Sequence, residues 1–533
     1  MGVGSRYFGL RGTKLNIAIG IIAGLDFLGV MGGLLTLHSF EKVFPEIATS
    51  NAAVAGLTRA EKNHRSTIQG ISVASYNLGC FVGAIACIWV GDRLGRRKTI
   101  WLGSVIMVVG ATLQASAFGL PHFIVGRLVT GVGNGLNTST VPTWQSECSK
   151  SHRRGQLVMV EGALITGGIC LSYWLDFGFS FLEPSSVSWR FPIAFQIVFA
   201  LIIMFVVMGL PESPRWLVLK GQEDEAMNVL AALSDLDRED RFVHSEFSAI
   251  KDTVIEMQKG SFKDLFTMDK DRHLHRVILA YVNQMFQQIS GINLITYYAA
   301  TIYEGSIGLS PFLSRILAAC NGTEYFIASW IAVFVVERIG RRMLMLFGAV
   351  GMSLSMAVLA IATSFKHQTD AGIVAAVFLF VFNTFFAIGW LANALATSGN
   401  WIFNFMVVMI TPVSFSLIEY KTYIIFAAIN AFIVPVVYFF YPETAYRSLE
   451  EMDSIFRKTK SIFTVVKVAR ETPRRYGKNG EVLINYDETD EHRTRAGVTQ
   501  EETTASFPEK SNANPDHDAE TGNSNSPSNQ STA

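Results

Sequence analysis

The sequence predicts an all-α membrane protein whose twelve transmembrane helices form two pseudo-symmetric six-helix halves. Half of its 533 residues are hydrophobic and only 17% are charged, whereas about a quarter of the residues of a soluble protein carry charge. Twelve apolar stretches are long enough to cross a bilayer, and one short motif follows both the second and the eighth. This composition excludes a soluble globular chain and a wholly disordered one. The 44 basic and 44 acidic residues balance, so we expect no nucleic-acid partner.

Each predicted span supplies the roughly 20 apolar residues that a helix needs to cross a hydrocarbon core about 30 Å thick. The spans cover residues 15–37, 67–90, 99–117, 122–144, 156–179, 190–210, 276–303, 311–335, 343–363, 371–391, 395–418 and 422–441. Basic residues concentrate in the connections 91–98, 145–155 and 336–342, which all follow even-numbered spans. The positive-inside rule places these connections and both termini in the cytoplasm. We therefore expect a multi-pass protein of the cell membrane.

The spans divide the chain into five segments. In order these are a cytoplasmic N-terminus, the N-terminal half, a cytoplasmic linker, the C-terminal half and a cytoplasmic tail: 1–14, 15–210, 211–275, 276–441 and 442–533. From position 498 onward Val498 and Phe507 are the only large apolar residues. Too little apolar surface remains there to build a core, so the tail is expected to be disordered towards its end.

An internal repeat relates the two halves. The string Gly-Asp-Arg-Leu-Gly-Arg-Arg at 91–97 returns as Val-Glu-Arg-Ile-Gly-Arg-Arg at 336–342. Likewise, Pro-Glu-Ser-Pro-Arg at 211–215 after span six is matched by Pro-Glu-Thr-Ala-Tyr-Arg at 442–447 after span twelve. Two homologous halves with a site between them are typical of a transporter, whereas a receptor or a channel has no need of this duplication.

The repeated charges are candidates for a cytoplasmic gate. Acid and arginine side chains at helix ends can form charge-assisted hydrogen bonds, and breaking such a network would open that side of the protein. The alternative is that the arginines only set the topology. The gate candidates within the repeat are Asp92, Arg93, Arg96, Glu337, Arg338 and Arg341.

Amide side chains crowd span seven. Gln284, Gln287, Gln288 and Gly291 recur every three to four residues, so they share one helix face. Amides both donate and accept hydrogen bonds, which suits a polyhydroxylated ligand, and Gly291 can break the helix. The alternative is that these amides bind neighbouring helices together. Further along the span are the candidate ligand contact Asn293 and two tyrosines, Tyr297 and Tyr298, which are expected to close the site from outside.

Together these residues resemble the sugar-transporter branch of the major facilitator superfamily over about residues 10–455. Within the branch they are similar to fungal hexose transporters and to the yeast glycerol/proton symporter. The resemblance rests on Gly-Val-Gly-Asn-Gly at 131–135 with Trp144, Glu147 and Arg154, on Pro-Glu-Ser-Pro-Arg at 211–215, on Gln-Gln-Ile-Ser-Gly-Ile-Asn at 287–293, and on Asn400, Trp401 and Asn404. It implies the major facilitator fold. It also adds Glu147 and Arg154 to the gate and Asn400 and Asn404 to the substrate contacts.

Ionisable residues inside membrane spans are functional candidates by default. Asp26 in span one and Arg127 in span four could form a proton-linked pair, or else a static buried ion pair. Glu161 lies in span five. Glu324 in span eight could be a protonated core acid, or could line the cavity. We take Asp26, Arg127 and Glu324 as the proton-coupling candidates.

Two places depart from the family pattern. Asp26 lies one residue further from the glycine string 29–33 than the family's acid, as if a short stretch between Leu28 and Gly29 were lost. Residues 371–418 contain no Asp, Glu, Lys or Arg, and about twenty family-like residues are missing between Trp390 and Asn393. We favour the omission of coding segments over true divergence of the protein, because both flanks match the family closely. We therefore expect a defect at helices ten and eleven, where the arginines of 336–342 lose the acidic partner that this loop usually supplies.

These observations predict a plasma-membrane transporter of a hexose, pentose or glycerol-class substrate that works by alternating access. Proton-coupled uptake is favoured over uniport. An exporter of a specialised metabolite and a non-transporting sugar sensor stay open as alternatives. The sequence has no nucleophile–base set, phosphate loop or CxxC pair. We therefore expect no enzyme activity, cofactor or metal, and a monomer in the lipid bilayer that binds a small hydroxylated substrate and protons.

Overall fold

The computed structural model describes residues 7–24, 33–50, 53–54, 56–149, 154–259, 266–268, 272–365, 368–390, 397–445, 447 and 449–474. The chain divides into two compact units, Met1–Glu481 and Val482–Ala533. Every described residue belongs to the first unit, and within it the described residues form helices and turns without a β-strand.

The N-terminal half and the linker contain ten α-helices in the described residues. They are α1 (Gly12–Gly24), α2 (His38–Val43), α3 (Arg59–Leu94), α4 (Arg96–Ala115), α5 (Leu120–Cys148), α6 (Arg154–Ser180), α7 (Val187–Val207), α8 (Pro214–Leu219), α9 (Glu223–Ser234) and α10 (Arg241–Lys259). The last three follow span six and form the linker.

The C-terminal half and the segment after it contain nine more α-helices in the described part of the chain. They are α11 (His273–Ile289), α12 (Ile292–Thr301), α13 (Pro311–Ile339), α14 (Arg341–Ser364), α15 (Thr369–Trp390), α16 (Thr397–Ile418), α17 (Lys421–Phe440), α18 (Leu449–Lys458) and α19 (Val465–Glu471). Helices therefore lie at all twelve predicted spans, and the all-α prediction is confirmed.

Eight of the described helices are long and apolar enough to cross a membrane: α3, α4, α7, α13, α14, α15, α16 and α17. The remaining predicted spans, which are one, four, five and seven, correspond to α1, α5, α6 and the pair α11–α12. Helix α5 is long but carries buried polar side chains such as Arg127, Asn134 and Asn137. Polar side chains inside a membrane span usually face the interior of the protein and not the lipid.

Glycines turn the chain between consecutive spans on the face that bears the repeated motif. Gly95 has φ of 85° and separates α3 from α4, and Gly340 has φ of 97° and separates α13 from α14. A residue with a side chain is strained at such angles. We call the side of the protein that carries these two turns the arginine face, and the other side the opposite face.

Glycines also bring α3 and α5 into backbone contact. A Cβ atom on Gly79 or Gly83 would collide with carbonyl oxygens of α5, and one on Gly131 or Gly135 would collide with carbonyl oxygens of α3. Small residues spaced by four let two membrane helices approach closely. The glycine-rich string at 131–135 is therefore a packing surface.

Span seven is broken, as its glycine suggested. Helix α11 ends at Ile289, Gly291 has φ of 101°, and α12 begins at Ile292. The break frees the carbonyl of Ser290, which accepts a hydrogen bond from Asn430 Nδ2 on α17 at 2.8 Å. A broken helix inside a membrane needs such partners for its freed backbone groups.

The two halves meet mainly along two helix pairs, α3 with α16 and α6 with α13. In the first pair Ser416 Oγ donates to Asn63 Oδ1 at 2.6 Å. In the second pair the hydroxyls of Thr166 and Ser329 are 2.8 Å apart. The amides of span seven lie on α11 and α12, which both contact α16.

Candidate functional site

The amides predicted on span seven gather around one asparagine of α16. Asn400 Nδ2 donates to Gln284 Oε1 at 2.9 Å and to Gln287 Oε1 at 3.3 Å. Gln287 Nε2 in turn donates to the carbonyl oxygen of Trp390 at 3.4 Å. Three of the predicted substrate contacts therefore lie together, at the end of α15 where the sequence predicts a lost block.

A second amide pair bridges the break in span seven. Asn293 Nδ2 donates to Gln288 Oε1, and the two residues are only 8% and 5% exposed. Gln288 belongs to α11 and Asn293 to α12. Because each amide can both donate and accept, a ligand at this point could replace the bond between them and would then act on both parts of the helix.

Residues of the N-terminal half complete this polar cluster. Tyr297 Oη donates to Asn77 Oδ1 at 3.3 Å, and Asn77 Nδ2 donates to Asn404 Oδ1 at 3.3 Å. Nearby, Trp401 Nε1 donates to Thr138 Oγ1 at 3.2 Å. We define the central cluster as Asn77, Thr138, Gln284, Gln287, Gln288, Asn293, Tyr297, Asn400, Trp401 and Asn404.

The sequence analysis missed Asn77 and Thr138, although both carried a signal. Asn77 is a fully buried amide within span two. Thr138 lies three residues after the glycine string of span four. A buried amide is costly without partners, so Asn77 required a polar neighbour, which only the packing of the halves identifies. The hydroxyl of Thr138 can also donate to the carbonyl oxygen of Gly135 on its own helix, so its signal was weaker.

Arg127 lies next to the central cluster. It is 1% exposed, and its Nη2 donates to the carbonyl oxygen of Val73 at 2.7 Å. Its guanidinium carbon lies 5.3 Å from the centre of the Tyr76 ring, within cation–π range, and that ring also contacts Trp401 edge-on. Asp26, its predicted partner, lies outside the described residues.

Glu324 connects two helices within the C-terminal half. Its carboxylate accepts a hydrogen bond from the hydroxyl of Thr384. On the same two helices, α13 and α15, Asn383 Nδ2 donates to Asn321 Oδ1 at 2.7 Å. The sequence offered no partner for Glu324, and the structure supplies Thr384 from the neighbouring span.

On the arginine face, the N-terminal half has a two-point ion pair. Arg96 Nε and Nη2 donate to the two carboxylate oxygens of Glu147 at 3.0 and 3.1 Å. The side chains are only 16% and 12% exposed. This fork-on-fork geometry is the strong form of the charge-assisted hydrogen bond. It ties the start of α4 to the end of α5.

Glu212 is a second acid in this network, and the sequence analysis did not select it. Its carboxylate accepts hydrogen bonds from the backbone N–H groups of Arg96 at 3.0 Å, Arg97 at 3.2 Å and Ser213 at 2.9 Å. Burial raises the pKa of Glu212 above its ordinary value, and these N–H donors act in the other direction. The acid of the post-span-six motif therefore caps the helix that begins after Gly95.

The C-terminal half repeats this cap at the corresponding positions. Glu443 accepts from the backbone N–H groups of Arg341 at 3.0 Å and Arg342 at 3.1 Å. The guanidinium of Arg341, the equivalent of Arg96, donates to the carbonyl oxygen of Thr444 at 3.1 Å. The acids of the two post-span motifs thus have the same role in both halves.

The remaining gate candidates give a mixed picture. Among the described residues no ion pair within 4.0 Å involves Asp92, Arg93 or Arg338, and the carbonyl oxygen of Asp92 accepts from Trp216 Nε1 at 3.1 Å. The side chains of Arg154 and Glu337 lie outside the described residues, as do residues 391–396 between α15 and α16.

On the opposite face, an arginine joins the two halves. Arg315 at the start of α13 donates from Nη2 to the carbonyl oxygen of Thr36 at 2.6 Å. Its Nη1 lies 3.5 Å from Glu183 Oε2, and Glu183 also accepts from the backbone N–H of Ser39 at 3.1 Å. We call these four residues the outer lock. The sequence analysis did not identify it.

The chain matches a protein family and several known proteins. A family model described as "Sugar (and other) transporter" matches residues 15–392 and 391–456. The two matches meet at 391–392, where the sequence predicts the lost block. The chain is 38% identical over 482 residues to "Sugar transporter STL1" of Saccharomyces cerevisiae, covering 85% of this chain and 83% of the relative. It is 36% identical over 505 residues to "MFS-type transporter oryC" of Aspergillus oryzae, covering 88% and 91%.

Its fold is also similar to a solved structure. The proton:xylose symporter XylE bound to 6-bromo-6-deoxy-D-glucose superimposes with a TM-score of 0.69 at 22% identity, covering 85% of this chain and 100% of that one. This agrees with the two-half fold predicted from the internal repeat.

Proposed function

Because this chain belongs to the sugar transporter family of the major facilitator superfamily, we propose that it carries a sugar or polyol across the plasma membrane by alternating access. The substrate is of the hexose, pentose or glycerol class, and it binds at the central cluster. The arginine face lies in the cytoplasm together with both termini, as the basic connections indicate. Transport is uptake.

The observation that supports this proposal is the chain of hydrogen bonds from Tyr297 through Asn77 to Asn404. Tyr297 and Asn404 belong to the C-terminal half and Asn77 to the N-terminal half. A sugar hydroxyl both donates and accepts, so a bound sugar can take the place of these bonds. The binding free energy of the sugar then differs between the two arrangements of the halves. A transporter whose halves rock between two states requires such a difference.

Contacts on the two faces give the alternation its energetic basis. The outer lock joins the halves on one side, and the ion pair of Arg96 with Glu147 rigidifies the N-terminal half on the other. Access to the central cluster from the opposite face requires the outer lock to separate. The pair of Arg96 with Glu147 lies within one half and keeps that half rigid while it moves. The outer lock is small enough for the energy of substrate binding to offset it.

We propose that substrate uptake is coupled to protons. Asp26, Arg127 and Glu324 are the candidate residues. Arg127 packs against Tyr76, which contacts the central cluster through Trp401. Protonation of an acid that faces Arg127 would change the position of the guanidinium and therefore the shape of the cluster. Uniport is the outcome expected if substrate never moves protons.

The test is uptake of labelled glucose, xylose and glycerol by a transporter-null cell at two external pH values. The chain is compared with a version in which about twenty family-like residues are restored after Trp390, so that a defect there is not mistaken for a wrong function. Gln288→Ala should raise the KM several-fold, because one neutral hydrogen bond is worth about 0.5–1.5 kcal/mol. Gln222→Ala, at an exposed position in the linker, is the control.

Two results would count against the proposal. If the restored chain reaches the plasma membrane but transports none of the three substrates, the substrate class is wrong. If Ala variants at Gln287, Gln288 and Asn293 all keep the KM of the parent, the central cluster is not the binding site.

A further inference from the structure

We propose that the segment after the last span binds an anionic phospholipid together with the ends of α11 and α17. The segment comprises residues 456–474, and we call it the post-membrane segment. The phospholipid's headgroup would lie on basic residues of the segment, and one acyl chain would enter an apolar cavity beside it. The proposal does not depend on which substrate is transported.

The post-membrane segment is held firmly against the membrane domain. Arg447 Nη2 donates to the carbonyl oxygens of Ala469 at 2.6 Å and Thr472 at 2.7 Å. Arg272 Nη2 donates to the carbonyl oxygen of Lys460 at 2.7 Å. These bonds attach both ends of the segment to residues that lie just before α11 and shortly after α17.

The segment lies at the depth where the last span ends. Helix α17 ends at Phe440, and the ring of Phe463 lies 5.1 Å from the ring of Phe440. Phe463 is nevertheless 69% exposed, and its neighbour Ile462 is exposed as well. Large apolar side chains in this position, next to a membrane span, are typical of an element that lies in the lipid interface.

An apolar cavity opens beside these residues. Its volume is about 230 Å³. The lining side chains come from both spans and from the segment, and they include Ile278, Val282, Val436, Phe440 and Ile462. Ile278 is half-exposed on the outer surface of α11, so the cavity lies next to the lipid. His275 and Tyr441 also line the cavity, but its exposed surface is apolar, which suits a hydrocarbon chain better than a soluble polar ligand.

The charge of the segment selects the headgroup. Between positions 456 and 474 it has six basic residues and one acidic residue, Glu471, whereas the acidic residues Glu443, Glu450, Glu451 and Asp453 all lie before it. All the basic ones are exposed: Arg457, Lys458, Lys460, Lys467, Arg470 and Arg474. A cluster of lysines and arginines at the end of a transmembrane helix attracts anionic lipids of the adjacent leaflet, and the contact of Phe463 with Phe440 places this cluster there. A zwitterionic headgroup offers no comparable net charge.

The first experiment measures which lipid the full chain retains. The protein is reconstituted in nanodiscs of phosphatidylcholine mixed with phosphatidylserine and extracted with mild detergent, and the bound lipids are quantified by mass spectrometry. We expect phosphatidylserine to be enriched several-fold over its share of the nanodisc. Lys460→Glu combined with Lys467→Glu should abolish the enrichment. The charge reversal Lys220→Glu, at an exposed site of the linker, should not change it.

The second experiment reports the position of the segment itself. An environment-sensitive fluorophore is attached at position 463 through Phe463→Cys, and the control carries it at the exposed linker residue Phe242. Emission at position 463 should shift to the blue in nanodiscs that contain phosphatidylserine and return in high salt, because salt screens exposed charges. Emission at position 242 should stay constant.

Three results would overturn the proposal. The first is that the protein retains phosphatidylserine and phosphatidylcholine in the same ratio as the nanodisc contains them. The second is that the double charge-reversal variant enriches phosphatidylserine as much as the parent chain does. The third is an equal blue shift on addition of soluble glycerophosphoserine to phosphatidylcholine nanodiscs, since this would mean that the segment binds an anion without an acyl chain.

Discussion

Replacing Arg96 by glutamine should loosen the packing of α4 against α5 on the arginine face of the N-terminal half. In the structure the guanidinium makes two hydrogen bonds to Glu147, at 3.0 and 3.1 Å, between side chains that are 16% and 12% exposed. Arg96→Gln removes both bonds and leaves the carboxylate of Glu147 without this partner. A hydrogen bond to a charged group is worth about 1.5–3 kcal/mol, and exposed pairs contribute less. We therefore take roughly 2–3 kcal/mol for this partly exposed pair.

A natural cysteine next to the ion pair reports the opening. Cys148 follows Glu147 directly and is 2% exposed, so alkylation requires the local structure to open. Since every 1.4 kcal/mol is a factor of ten, the loss of roughly 2–3 kcal/mol predicts alkylation about 30- to 140-fold faster. Removing a positive charge makes a nearby thiol less reactive. Faster alkylation of Cys148 in Arg96→Gln therefore cannot come from a more reactive thiol.

The internal repeat supplies the matched control. Arg341→Gln changes the equivalent residue of the C-terminal half, far along the chain from Cys148, and should leave the alkylation rate of Cys148 unchanged. Cys80 is fully buried in α3, and its alkylation reports global unfolding. An unchanged rate for Cys148 in Arg96→Gln, with Cys80 still protected, would refute the idea that this ion pair holds the start of α4 against the end of α5.

The central cluster, the outer lock, Glu324 and the connection after α15 can each be tested by a change to the chain. Asn77→Ala should raise the transport KM several-fold at unchanged surface expression, because each hydrogen bond that it removes is worth about 0.5–1.5 kcal/mol. An unchanged KM would mean that Asn77 does not contact the substrate. Arg315→Gln should speed alkylation of Cys170 at the α6–α13 contact, because the outer lock is lost; an equal rate would mean that the lock does not hold this face. If Glu324 carries the proton, Glu324→Gln should abolish concentrative uptake but keep substrate exchange. The readout is alkalinisation of the medium when substrate is added. Uphill transport by the variant would exclude Glu324 as the proton carrier. Restoring about twenty family-like residues after Trp390 should raise transport strongly, and sequencing of the transcript shows whether they are encoded; typical rates for the unaltered chain would contradict the loss.

The fold could be predicted because its signals are local. Apolar stretches of span length indicate the helices, and the repeated motif indicates two halves. The glycine at 291 marks the break of span seven because few other residues tolerate its φ of 101°. Helical periodicity also placed Gln284 and Gln287 on one face, and in the structure both accept from Asn400. Each of these inferences depends only on residues that are close together along the chain or on a motif that occurs twice in it.

The partners of these residues were decided by the tertiary structure. Nothing near Asn77 in the sequence indicates that it lies between Tyr297 and Asn404, and nothing near Glu212 indicates that it caps the helix beginning at Arg96. A hydrogen bond forms only when two groups come within about 3 Å in the right direction. For residues on different spans, the distance between the two groups depends on the depth and the rotation at which whole helices pack. Many side chains along each helix interface together determine that depth and rotation.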